Sequence, residues 1–123
     1  MENFDPDDPV TMYLRELENV QPLTRAEEKE LFRNLREADT SDDRRENVAR
    51  RIIETHLLLV VRAAERHSST GISKLDLVQE GNIALMQAVQ SFAERPVGTF
   101  SKYATTLIEE AVEKLAANRK QGQ

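Results

Sequence analysis

The chain has 123 residues, 32% of them charged and 5% aromatic, with few glycines and prolines, which fits one small helical domain with a modest core. It has no cysteine, so neither a disulfide framework nor a thiolate metal site, and no membrane-length apolar run or signal peptide, so a cytoplasmic protein is expected. The net charge of −5 is uneven: residues 1–47 hold 14 acids against 7 bases, a net of −7, and residues 48–123 a net of +2, so any contact with nucleic acid must be local rather than global.

In chain order, residues 1–7 carry no apolar period and read as a flexible N-terminal tail. A helical domain over 8–117 and a frayed tail over 118–123 follow. Asp8 and Pro9 read as N-cap and first helical position of a short helix with Val10, Tyr13, Leu14 and Leu17 on one face, broken at Gln21-Pro22. Thr24 with Glu27 is a capping box. The helix it starts runs to about Ala38, with Leu31, Phe32 and Leu35 apolar. Residues 39–43 read as a polar loop. Asp42-Asp43 is read as helix capping and solvated charge, because no further ligand is spaced to complete a metal site.

A long helix is expected from about Asp43 to Arg66. Ala49, Ile52, Ile53, Leu59, Val60 and Ala63 form its main stripe, widened by Leu57, Leu58 and Val61, which predicts a central helix contacted on two sides. His56 falls on the apolar face and reads as a satisfied core residue. His67 at the helix end complements the helix dipole. The turn at 68–71 leads to Ser73, a good N-cap.

The helix that starts there carries Val78, Gly81, Leu85, Ala88, Val89 and Phe92 on one side, a core face on which Gly81 lets another helix come close. The other side holds Asp76, Gln79, Glu80, Gln87 and Gln90, with Asn82 at one flank, and Ile83 and Met86 project there too. Apolar side chains ringed by carboxylates and amides suit anchors for a partner surface. They equally suit packing beneath a neighbouring element of the same chain, and periodicity does not choose between the two. After the breaker at 95–98, Phe100-Ser101 starts the last helix, which extends to about Ala117 with Ala104, Leu107, Ile108, Ala111 and Leu115 as its core stripe.

The stretch from Asp76 to Met86, Asp-Leu-Val-Gln-Glu-Gly-Asn-Ile-Ala-Leu-Met, resembles the signature of the second conserved region of bacterial RNA polymerase sigma factors, the sigma-70 family. Residues 8–16, Asp-Pro-Val-Thr-Met-Tyr-Leu-Arg-Glu, and Pro22-Leu23-Thr24 resemble the family's preceding segment, in the correct order. The run from Leu57 to Val61 is also similar, although His56 and Leu58 replace the Asn and Arg common there. The resemblance implies an all-α fold, a compact bundle of four to five helices like the sigma factor second region. It also implies docking on the β′ clamp helices of core RNA polymerase through Asp76, Gln79, Glu80, Asn82, Ile83 and Met86.

Residues 100–105, Phe-Ser-Lys-Tyr-Ala-Thr, resemble the start of the family's promoter-reading helix. This implies weak DNA contacts from Phe100, Lys102 and Tyr103. The match then fails. Where housekeeping members continue with two tryptophans and Ile-Arg-Gln-Ala, this chain has Thr106, Leu107, Ile108, Glu109, Glu110 and Ala111. Strand opening needs aromatic platforms for unstacked bases and cations for phosphates. Glu109, Glu110 and Glu113, read as facing the phosphates, weaken any hold on promoter DNA.

Three classes of function remain to be weighed. The first is a sigma-like module that binds polymerase, either as a working initiation factor or as a decoy that does not open DNA. The second is a helical scaffold for another protein, since helix-in-groove recognition needs no more than the Ile83 and Met86 anchors. An enzyme is the least supported. The sequence offers no metal-ligand set, nucleophile motif or phosphate-cradling loop, and no cofactor is expected.

Overall fold

The computed structural model describes residues 9–37, 39–68 and 71–121, with side chains described between 12 and 118. The expected tail at 1–7 and the Asp8 cap lie outside the described residues. Six helices and no strand run through the described residues: α1 (Pro9–Glu18), α2 (Arg25–Arg36), α3 (Asp42–Glu54), α4 (Leu57–Arg66), α5 (Lys74–Glu94) and α6 (Phe100–Gln121). The fold is all-α as expected, with more helices than the four or five anticipated.

The extra helix arises where one long helix was expected. It is interrupted at Thr55 and His56, where the His56 N–H donates to the Ile53 carbonyl and the Ile52 carbonyl is taken by the two side chains instead. The Thr55 hydroxyl donates to the Ile52 carbonyl at 2.9 Å and the Arg51 carbonyl at 3.0 Å. His56 Nδ1 lies 2.7 Å from the Ile52 carbonyl. A carbonyl only accepts, so Nδ1 carries the hydrogen. The chain restarts at Leu57, and Leu59 N–H donates to the His56 carbonyl.

Local capping signals set the other boundaries. Glu27 N–H donates to Thr24 Oγ1 at 3.1 Å while Thr24 N–H donates to Glu27 Oε1 at 2.9 Å, a complete capping box. These hydrogen bonds hold the Glu27 carboxyl below its ordinary pKa. Helix α2 stops at Arg36, short of Ala38. Ser41 caps α3 and Ser73 caps α5, the latter accepting from Asp76 N–H at 3.1 Å. Helix α6 continues to Gln121, past the expected end at Ala117.

Helices α4, α5 and α6 pack on one another at the centre, α2 and α3 pack together against α5, and α1 lies on α4. The predicted α5 face is buried in full. Leu77 and Ala84 join it, widening it because α5 is covered by α4 on one side and α6 on the other. Gly81 is the closest approach: a Cβ there would sit 2.7 Å from Val60 Cγ1 of α4, with Val112 and Ile108 of α6 at 3.5 and 3.6 Å. Helix α6 buries Phe100, Ala104, Ile108, Val112 and Ala116 at strict four-residue spacing. The stripe is therefore rotated from the expected one. Leu107, Ala111 and Leu115 are half-buried at its edge.

An aromatic cluster gathers α2, the end of α5, the start of α6 and the α3–α4 break. Phe32 of α2, Phe92 of α5 and Phe100 of α6 stand with ring centroids 4.9–5.4 Å apart, and His56 meets the Phe100 ring edge-on at 4.8 Å. Glu28 of α2 accepts the Phe100 N–H at 3.2 Å, placing a carboxylate at the positive end of α6. Helix α1 attaches separately, through Leu17 against Val61 with Tyr13, Leu14, Leu57 and Leu58 around them.

Candidate partner-docking surface

The helical period lines up the α5 residues opposite the core. Asp76, Gln79, Ile83 and Met86 follow one another at steps of three or four, forming a solvent-facing ridge. Ile83 and Met86 are each 46% exposed, and Asp76 and Gln79 are exposed beside them. Among the described residues, none buries these two apolar side chains. Glu80 is half-buried and lines the groove between α5 and α6 with Ile72, Asp76, Leu115 and Asn118. Asn82, on the other flank, is half-buried, and its Oδ1 is buried without a hydrogen-bond partner. The ridge thus offers two apolar anchors, amide donors and acceptors, and acidic charge.

The residues expected to meet DNA are not brought together. Phe100 is fully buried among Phe32, Phe92 and His56, so it has no face for a base, because α6 uses it as its first core anchor. Tyr103 is half-buried with its ring on Phe92 and its hydroxyl 2.6 Å from Ser91 Oγ. Lys102 is exposed. Thr106 is exposed too, its hydroxyl spent on the Lys102 carbonyl at 3.2 Å. The expectation of three glutamates facing phosphates is also corrected. Glu109 turns to the C-terminal end of α4, where it pairs with Arg66 and lies 3.5 Å from His67 Nε2. Glu110 and Glu113 alone of the three stand exposed.

Sequence reasoning missed two exposed apolar residues near the ridge, Met12 at 53% and Leu75 at 59%. Leu75 carried a usable signal: it is in helical phase with Gln79 and Asn82. Met12 carried a fainter one, lying off the Val10, Tyr13, Leu14 and Leu17 stripe. Among the described residues no group of three or more His, Asp or Glu is placed to hold a metal ion. Among the same residues no helix is long and apolar enough to cross a membrane.

The described residues thus form a small helical bundle that buries Phe32, Phe92 and Phe100 and leaves Ile83 and Met86 exposed on one ridge. Two family models match the chain: Sigma-70 region 2 over residues 52–121 and Sigma-70 factor, region 1.2 over residues 8–39. The chain is 37% identical over 127 residues to an RNA polymerase sigma factor SigA from a Bacillus species, covering 95% of this chain and 32% of that protein. It is 37% identical over 113 residues to RNA polymerase sigma factor SigA of Clostridium acetobutylicum, covering 92% of this chain and 28% of that protein. The chain belongs to the sigma-70 family. It spans about a third of the length of these relatives.

Proposed function

We propose that this chain is the core-polymerase-binding part of an RNA polymerase sigma factor, acting in transcription initiation by docking α5 on the β′ clamp helices. The observation that carries the reading is the exposed pair Ile83 and Met86 on the ridge, flanked by Asp76, Gln79, Glu80 and Asn82. Desolvating two apolar side chains inside a ring of polar groups is how a small surface concentrates binding energy. A cytoplasmic location goes with that role.

The promoter-melting function is proposed to be weakened. Thr106 and Leu107 give no aromatic platform, Phe100 is buried, and Glu110 and Glu113 repel phosphates. These same observations favour a second reading, in which the chain occupies polymerase without opening DNA.

The test is titration of the chain with a β′ clamp-helix fragment, beside a salt-dependent titration with promoter single strands. Wild-type binding to the fragment, lost in Glu80→Arg and about tenfold weaker in Met86→Ala, supports docking. Unchanged affinity in both variants, with helix content intact, overturns the α5 face. Clamp binding without strand binding selects the second reading over a working initiation factor.

A further inference from the structure

His56 is a titratable group inside the core, buried at the break between α3 and α4 and apart from the α5 ridge. Its Nδ1 already holds a hydrogen on the Ile52 carbonyl at 2.7 Å, so Nε2 is the nitrogen left to take a second proton. On the side of α6 the ring meets Phe100 edge-on at 4.8 Å. Phe100 is the first residue of α6, and its N–H donates to Glu28 Oε2 of α2 at 3.2 Å. The carboxylate that serves the start of α6 therefore also acts on the charge of the His56 ring.

The surroundings determine what a proton would do there. Ile52 of α3 offers the ring a carbonyl. Phe100 of α6, with Phe32 of α2 and Phe92 of α5 behind it, brings no charged side chain. Glu28 of α2 is the opposite charge acting on the ring, and Arg25 Nη1, 3.6 Å from Glu28 Oε2, belongs to a half-exposed side chain. Helix α6 begins beside the ring with its positive end. A neutral His56 leaves Glu28 to that helix end. A cation on Nε2 is poorly solvated and repelled by the helix end, and Glu28 is its available counter-charge. An imidazolium–carboxylate pair in a low-dielectric site outweighs a bond from a neutral amide, and 3.2 Å is already the long end of the N–H···O range. Burial pushes the His56 pKa down from 6.5, so the ring is neutral in the folded chain at neutral pH and the change falls below that value.

We infer that His56, Glu28 and the Phe100 N–H form a proton-operated latch on α6: the neutral ring leaves Glu28 bonded to Phe100, and protonation at Nε2 draws Glu28 to the ring and releases the first turn of α6. The latch answers to acidification. It acts on the turn that carries Ser101, Lys102 and Tyr103, and works whether or not the α5 ridge holds a partner.

The test follows the full chain by NMR from about pH 7.5 to about pH 5, across the range in which histidine titrates. It records the His56 ring signals and the exchange of the Phe100 amide, corrected for the intrinsic pH dependence of exchange. His56→Asn and Glu28→Gln are measured beside the wild type. Asn supplies a side-chain N–H but takes no proton, and Gln keeps an acceptor for Phe100 without the charge. In the wild type, protection of the Phe100 amide is expected to fall about tenfold with the same midpoint as the His56 ring, while amides in the middle of α5 and α6 keep theirs. The step is expected to vanish in His56→Asn, and in Glu28→Gln the Phe100 amide is expected not to follow the ring. A Phe100 amide that holds or gains protection as His56 titrates refutes the latch, because Glu28 then serves both groups at once. Loss of protection at all amides together also refutes it, because the proton then unfolds the whole domain. So does a His56 ring that stays neutral until the chain unfolds, and so does a step that survives in His56→Asn.

Discussion

Gly81→Ala is the most informative single change in this bundle. The new methyl would lie 2.7 Å from Val60 Cγ1, about 1 Å inside an ordinary carbon–carbon contact. It cannot retreat towards α6, where Val112 and Ile108 already stand at 3.5 and 3.6 Å. Val60 is fully buried and β-branched, so a helix leaves it essentially one rotamer and the backbones must separate instead. Overpacking of this kind costs about 1–3 kcal/mol. Replacing a helical glycine by alanine returns about 1 kcal/mol through backbone entropy. The methyl is hemmed in on both sides, so the upper part of the overpacking range applies. The net destabilisation is therefore about 1–2 kcal/mol, a fall of roughly 4–8 °C in the unfolding midpoint for a domain of this size. Thermal and urea unfolding measure it. Val60→Ala alone loses buried methyl contacts at about 1–3 kcal/mol. In that background the same Gly81→Ala change is expected to stabilise by about 1 kcal/mol, because the clash has gone and the glycine entropy term remains. Additive effects in the double variant would refute the close approach of α4 and α5.

Four other perturbations test separate parts of the structure. Burial pushes the His56 pKa down, against the opposing pull of the Ile52 carbonyl and the Glu28 carboxylate. The unfolded chain therefore binds the proton more readily than the folded one. The stability His56 permits is complete above the unfolded value of 6.5 and is lost as pH falls from there towards the folded pKa. His56→Asn should flatten that slope in unfolding measured across the window, and an unchanged slope would show that another group titrates. Ser73→Ala removes the α5 cap and is expected to cost about 1 kcal/mol in urea unfolding, with no effect if Asp76 N–H finds water instead. Thr106→Trp with Glu110→Gln, on the exposed side of α6, should raise affinity for promoter single strands about tenfold in a fluorescence titration. No gain would mean that this side of α6 does not meet the strand. Glu109→Arg is expected to destabilise the fold, because it places a second cation beside Arg66.

Signals that act within one turn were legible in the sequence. Thr24 with Glu27 and Ser73 with Asp76 fixed helix starts through hydrogen bonds to residues three positions away. The α5 core face and the outward position of Ile83 and Met86 followed from phase alone, since a helix has one buried side. The break at Thr55-His56 was not legible. It involves neither Gly nor Pro, and the Ile52 carbonyl there is bonded to the Thr55 and His56 side chains while the His56 N–H turns to Ile53. The α6 stripe was misplaced because two adjacent stripes, one through Ala104, Ile108 and Val112 and one through Leu107, Ala111 and Leu115, are both apolar. Only the position of α5 decides between them. Phe100 was misread for the same reason: its burial follows from Phe32 of α2, Phe92 of α5 and His56 of the α3–α4 break converging on it. Glu109 needed Arg66 and His67, more than forty positions earlier in the chain, to reveal which way it points.

The hydrogen bond from Phe100 N–H to the Glu28 carboxylate spans 72 positions and ties the segment matched by the first family model to that matched by the second. The two segments are in this sense one thermodynamic object. A truncated chain beginning at Ile52 would lose Phe32 from the aromatic cluster, uncover Phe92 and Phe100 to water, and leave the first turn of α6 without its anion. Such a piece is expected to keep its helices while losing fixed packing around them. Its α5 ridge would then sit on a softened support and bind more weakly without a single contact residue having changed. Dissection of this family into separate numbered regions, natural in sequence, cuts across the unit of cooperativity in this chain.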